Sequence, residues 1–122
     1  MRIIVLVFFV LVAGCLGPHD ENIQIHPRVK YQGNVLTISN YDNFAYYGVK
    51  LGLNNGTFKL DLSMPILAGQ EFNCDLSDFV KSDGERFNVF RYKPTSLSVS
   101  CHVIQTDKKD RGSGEAFYYG KF

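Results

Sequence analysis

The stretch YGVKLGLNNGTFKLDLSM, residues 47–64, decides the fold of this chain. Tyr47, Val49, Leu51 and Leu53 alternate with small or polar residues, and Phe58, Leu60, Leu62 and Met64 do the same. A period of two is the signature of strands that bury one face. Between the runs lies Asn54-Asn55-Gly56-Thr57, and Asn-Gly is the pair best suited to a two-residue type I′ turn, in which both residues take positive φ. That turn predicts the pairs Leu53–Phe58, Leu51–Leu60, Val49–Leu62 and Tyr47–Met64, with every apolar side chain on one face. A slip of one residue would break all of these matches, so the register is strongly specified. Asn55-Gly56-Thr57 is also an N-glycosylation sequon, but turn chemistry already accounts for its Asn and Gly.

The flanking sequence follows the same grammar. Ile23, Ile25, Val29 and Tyr31 share one phase, with Pro27 marking an edge strand or a bulge. Val35 to Ser39 is a second strand, ended by Asn40-Tyr41-Asp42-Asn43. Beyond the hairpin, Pro65, Ala68 and Gly69 make a turn into a strand around Cys74, and Asp75 to Val80 fits one short helical turn. Ser82-Asp83-Gly84-Glu85 is a tight loop, and Phe87 to Tyr92 is an aromatic run stopped by Pro94. Ser96 to Ile104 is a strand, Gln105 to Gly114 a polar hairpin loop, and Glu115 to Phe122 a last, aromatic-rich strand. Seven to eight short strands with turn signals roughly every 8–12 residues predict an all-β, antiparallel β-sandwich over residues 22–122.

Three segments, VLTISN (35–40), VKLGL (49–53) and ILAGQEF (66–72), resemble the immunoglobulin-like β-sandwich domains of exported bacterial proteins. The resemblance covers about a third of the chain and implies a fold, with no activity attached. The antibody-type pattern is absent, since there is no Trp and the cysteine separation is too short for the usual inter-sheet bridge.

A second signal lies at the N-terminus. Met1-Arg2 is followed by an unbroken apolar run, Ile3 to Val12, and then by Ala13-Gly14-Cys15. Charged start, apolar middle and small residues before a cut site describe a secretory signal. The run is about half of the roughly 20 residues a membrane span requires. An ordinary signal peptide would leave the position of Cys15 to chance, whereas Val12-Ala13-Gly14-Cys15 resembles the lipobox of bacterial lipoproteins. That resemblance implies removal of residues 1–14, lipid on Cys15 and a tether over 15–21. It also implies a location in the cell membrane, or in the outer membrane given Leu16 rather than Asp, facing periplasm or exterior.

Composition narrows the partners. The chain carries 13 Lys+Arg and 12 Asp+Glu. Arg2 is the only charge in the leader, so the mature chain is formally neutral, which argues against a nucleic-acid partner. Lys108-Lys109-Asp110-Arg111 is a local basic cluster beside turn residues and reads as a solvated hairpin tip. With Cys15 lipidated, Cys74 and Cys101 remain as an even pair in a compartment that tolerates disulfides. Both fall on the inward phase of their strands. A bridge between them would contribute about 3–4 kcal/mol by restricting the unfolded chain. The alternative is two free thiols packed as small apolar residues.

Chemistry-bearing patterns are sparse. Ser100 and His102 share the outward face of one strand and Asp75 could lie on a neighbouring strand. A mid-strand serine, however, lacks the sharp turn and backbone donors that nucleophilic catalysis needs. His19-Asp20-Glu21 is consecutive and cannot converge on one ion, and Asp78, Asp83 and Glu85 lack calcium-loop spacing. No metal and no cofactor is expected. The surplus is aromatic: Tyr41, Phe44, Tyr46 and Tyr47 crowd one strand start, and Phe117, Tyr118, Tyr119 and Phe122 crowd the last strand. Alternation puts only half of each cluster inside, and Tyr46 and Tyr118 are expected to face outward as a binding surface.

The expected function is a non-enzymatic binding or structural module of the cell envelope, tethered to the membrane through Cys15 and in contact with an envelope protein. The competing expectation is a small inhibitor or phage exclusion lipoprotein that blocks an envelope enzyme or receptor. Replacing Cys15 by Ser is expected to leave the leader uncut and the chain without lipid. Intact mass and radiolabelled palmitate incorporation measure both.

Overall fold

A computed structural model of the protein describes residues 23–105 and 112–122. The leader, Cys15, the tether with His19-Asp20-Glu21 and the cluster Lys108–Arg111 lie outside the described residues. Among the described residues eight strands form two sheets. They are β1 (Ile23–Gln24), β2 (Pro27–Gln32), β3 (Val35–Asn40), β4 (Tyr47–Leu53), β5 (Phe58–Asp61), β6 (Glu71–Asp75), β7 (Ser96–Gln105) and β8 (Gly112–Lys121). One sheet has the order β1-β8-β7-β4-β5 and the other β2-β3-β6. All pairings are antiparallel except β1 with β8. The last strand, its hairpin partner and the central β4–β5 hairpin thus stand in one sheet against β3 and β6 in the other. That is the arrangement of a β-sandwich. Among the described residues no helix is long and apolar enough to cross a membrane.

The hairpin forms in the predicted register over its inner half: Leu53 pairs with Phe58 and Leu51 with Leu60. Asn55 and Gly56 take φ of 60° and 83°, as a type I′ turn demands, and the Thr57 N–H donates to Asn54 O at 3.2 Å. Leu62 N–H still reaches Val49 O at 2.9 Å. The outermost expected pair is not made, because β4 carries a bulge between Tyr47 and Lys50. Three steps along β4 match two along β7, from His102 to Ser100, and Gly48 takes the left-handed φ of 57°. The phase therefore reverses: Val49 points in, Tyr47 points out, and Met64 is 71 % exposed.

Inward residues of both sheets make one core. Leu36 and Ile38 of β3 meet Val49, Leu51 and Leu53 of β4 and Leu97, Val99, Cys101 and Val103 of β7. The segment after β6 closes one end. Asp75 caps a 3-10 turn, Leu76–Asp78, by accepting from Ser77 N–H, while Asp78 accepts from Asp75 N–H at 3.2 Å. Phe87 to Tyr92 is not a strand. It folds inward so that Phe58 stacks edge-on against Phe87 and Tyr92, at 5.1 and 5.0 Å, and leaves Phe90 96 % exposed.

The other end is closed by polar groups. Asn40, fully buried at the end of β3, donates to the carbonyls of Phe44 (2.9 Å) and Ile66 (3.0 Å) and accepts from Asp42 N–H. Asp42 in turn accepts from the Tyr46 hydroxyl at 2.7 Å and from His26 N–H at 2.8 Å.

The expected Cys74–Cys101 disulfide is not formed, and both thiols are free. Strand phase correctly placed both facing inward, but phase says nothing about position along a strand. Cys74 lies in the three-stranded sheet at the Asp75–Asp78 end, whereas Cys101 lies in the five-stranded sheet toward Asp42 and Tyr46. Burial, then neighbouring carboxylates, pushes each thiol up to about 12. Protein alkylated in denaturant without reductant is expected to carry label on both Cys74 and Cys101 by peptide mass spectrometry. Asn40→Ala would take the side-chain partner from the Phe44 carbonyl and the Asp42 N–H, leaving Ile66 O only its bond from Tyr46 N–H, and is expected to cost about 2–4 kcal/mol in denaturant unfolding.

Candidate functional site

Strand pairing writes out the outer face of the five-stranded sheet row by row. Tyr47 lies beside His102, and His102 beside Glu115. Lys50 lies beside Ser100, and Ser100 beside Phe117. Gly52 lies beside Ser98, and Ser98 beside Tyr119. Directly opposed residues share a face. The inward residues Leu97, Val99, Cys101 and Val103 thereby set which members of β8 face out.

Ala116 and Tyr118 pair with Cys101 and Val99, so they turn inward, and Phe117 and Tyr119 turn outward. The expectation that Tyr118 faces out is thus overturned; it is half-buried against the core. Tyr46 is corrected likewise. Its exposure is 0 %, and burial and the bonded Asp42 carboxylate hold its hydroxyl pKa well above the ordinary phenol value. The bulge at Gly48 exchanges the two adjacent tyrosines between faces. The sequence located both aromatic clusters but assigned the wrong members. Signals for the right assignment were present: Gly48, and the charged Glu115 and Lys121 sharing the phase of Phe117 and Tyr119.

The resulting surface is aromatic at its sides and small in the middle. Tyr47, Phe117 and Tyr119 are 42 %, 46 % and 45 % exposed. Ser98, Ser100 and Gly52 separate them, and a side chain at Gly52 would meet Ser98 Oγ and the Gly56 backbone. Tyr119 is held at its tip, where the hydroxyl donates to Asn55 Oδ1 at 3.1 Å. Asn54 fixes that turn by donating to Lys93 O and accepting from Thr95 N–H at 2.7 Å. His102 Nδ1 lies 3.7 Å from Glu115 Oε2, an ion pair when the imidazole is protonated.

Ser100 and His102 are side by side here, but Asp75 is in the opposite sheet, where it accepts from Asn34 and Ser77. The three do not assemble. Nor do Asp78, Asp83 and Glu85 converge. Asp78 caps the 3-10 turn, Asp83 accepts from Glu85 N–H, and Glu85 binds Lys81, Arg91 and Tyr92 at 3.1, 3.0 and 2.9 Å. Tyr92 and Lys81 hold the Glu85 carboxyl below its usual range. Among the described residues no group of His, Cys, Asp and Glu could hold a metal ion.

No family model matches the chain, and comparison with curated proteins and with solved structures gives no significant match. The face is therefore read from its own chemistry. It offers three part-exposed aromatic rings, two of them with polar tips, beside Lys50, His102 and Glu115, which suits contact with another surface.

The two neighbouring tyrosines are expected to behave oppositely. Tyr46→Phe removes a buried bond to a carboxylate and should cost about 2 kcal/mol, whereas Tyr47→Ala should cost less than about 1 kcal/mol. Urea unfolding of the two variants measures the difference.

Proposed function

We propose that this protein is a membrane-tethered, non-enzymatic contact module of a cell envelope that meets an envelope protein through the outer face of its five-stranded sheet. One observation carries the reading: Tyr47, Phe117 and Tyr119 stand half-exposed on a single face of a rigid sandwich. Tyrosine and phenylalanine concentrate at protein interfaces because they bring large contact area at small conformational cost. The signal ending at Cys15 and the neutral charge of the mature chain agree with a lipid anchor and a protein partner.

Photo-crosslinking in the native envelope tests this. A crosslinker at position 47 or 117 is expected to capture one stoichiometric partner, and Tyr47→Ala with Tyr119→Ala to abolish the adduct. A crosslinker at Lys30, exposed on the opposite sheet, should capture none. Equal capture from Lys30, or turnover of a small molecule lost in His102→Ala, would overturn the reading.

A further inference from the structure

On the side of the sandwich away from β1 and β2, the edges β5 and β6 face each other across a cleft of about 500 Å³. Its walls are residues 60–66 on one side and 70–74 on the other. Leu60, Leu62, Phe72 and Cys74 line it half-buried, and Met64 lies open at its mouth.

The backbone of β6 has a free side. Leu76 N–H bonds Asn34 O, and Asn40 N–H bonds Gln70 O. These pairs fix the phase of the ladder, so Cys74–Leu36 and Phe72–Ile38 are the hydrogen-bonded pairs between them. The N–H and C=O groups of Glu71 and Asn73 then point away from β3, out of the sheet edge. Those of Asp75 point the same way, but its N–H is held by Asp78.

Charge identifies the occupant. The charged residues lining the cleft are Asp61, Glu71 and Asp78, with no Lys or Arg among them. A second copy of β6 fits poorly. The register that pairs the whole strand with itself sets Glu71 opposite Asp75 and needs the Asp75 N–H that Asp78 already occupies. An incoming strand of alternating apolar and basic residues meets neither obstacle. Its backbone completes Glu71 and Asn73, its apolar side chains enter the cleft, and its cations meet the acidic rim.

We infer that the β5–β6 cleft is a docking site for an extended basic peptide segment of a partner protein, added as a fourth strand beside β6. This surface is separate from the aromatic face and its test involves no envelope partner.

The probe is a synthetic heptapeptide alternating lysine with valine, added to the full-length protein in neutral-detergent micelles and followed by amide NMR. Saturable binding should slow exchange of the Glu71 and Asn73 amides at least tenfold. N-methylation of the peptide's edge-facing amides, or glutamate in place of lysine, should weaken binding at least tenfold. Glu71→Lys with Asp61→Lys, checked for an unchanged spectrum elsewhere, should reverse the preference for lysine over glutamate. Protection of these amides without peptide, in step with dimer formation, would instead assign the edge to a second copy. That result, equal binding of the N-methylated peptide, unchanged preference in the double variant, or no protection at Glu71 and Asn73 would each overturn the inference.

Discussion

A chain that crosses between two sheets must leave backbone polar groups at the crossing, and burying them unpaired is costly. Here one side chain resolves the problem. Asn40 ends β3, and its amide binds the carbonyls of Phe44 and Ile66 while its oxygen receives the Asp42 amide. The crossover from β3 to β4 and the return from β5 to β6 are thereby joined at one point. Tyr46 N–H and Ile66 O, and Ile66 N–H and Tyr46 O, complete the closure at 2.9 and 3.0 Å. Because Tyr46 is delivered into the core with its hydroxyl on Asp42, β4 enters its sheet in a fixed phase. The separation of β5 from β6, and so the cleft between them, follows from the same joint.

That phase would be wrong for the rest of β4 without the bulge. The extra residue around Gly48 lets Tyr46 and Val49 both face inward and turns Tyr47 out beside His102. Inside and outside are then carried across the sheet by pairing alone. β7 turns Leu97, Val99, Cys101 and Val103 inward and Ser98, Ser100 and His102 outward, and its long ladder with β8 passes that in-and-out phase on to β8. The aromatic side chains of the outer face are thus positioned by backbone hydrogen bonds rather than by loops, which gives a contact surface with little freedom to lose.

Most of the architecture was legible in local pattern. The hairpin at Asn55-Gly56, the strand ending at Asn40, Pro27 on an edge strand and the short turn after Asp75 all rest on residues close in sequence. What escaped the sequence depends on position along strands or on a single extra residue. Alternation placed both cysteines inside but did not show that they sit toward opposite ends. Tyr46 and Tyr47 were exchanged because the strict period of two was extended through Gly48. Tyr118 was placed by its neighbours in sequence, whereas its actual direction follows from pairing with Val99. The aromatic run from Phe87 to Tyr92 lacks alternation and serves as a cap over Phe58.

The free cysteines have a consequence for how the domain is held together. No cross-link holds the two sheets together. The burden rests on side chains such as Leu36, Ile38, Leu51, Leu97 and Val99, and on the Asn40 joint. With their thiols pushed up to about 12, Cys74 and Cys101 stay protonated at neutral pH, the form that neither attacks nor exchanges. With no S–S bond between Cys74 and Cys101, a reductant has no bond between the two sheets to break.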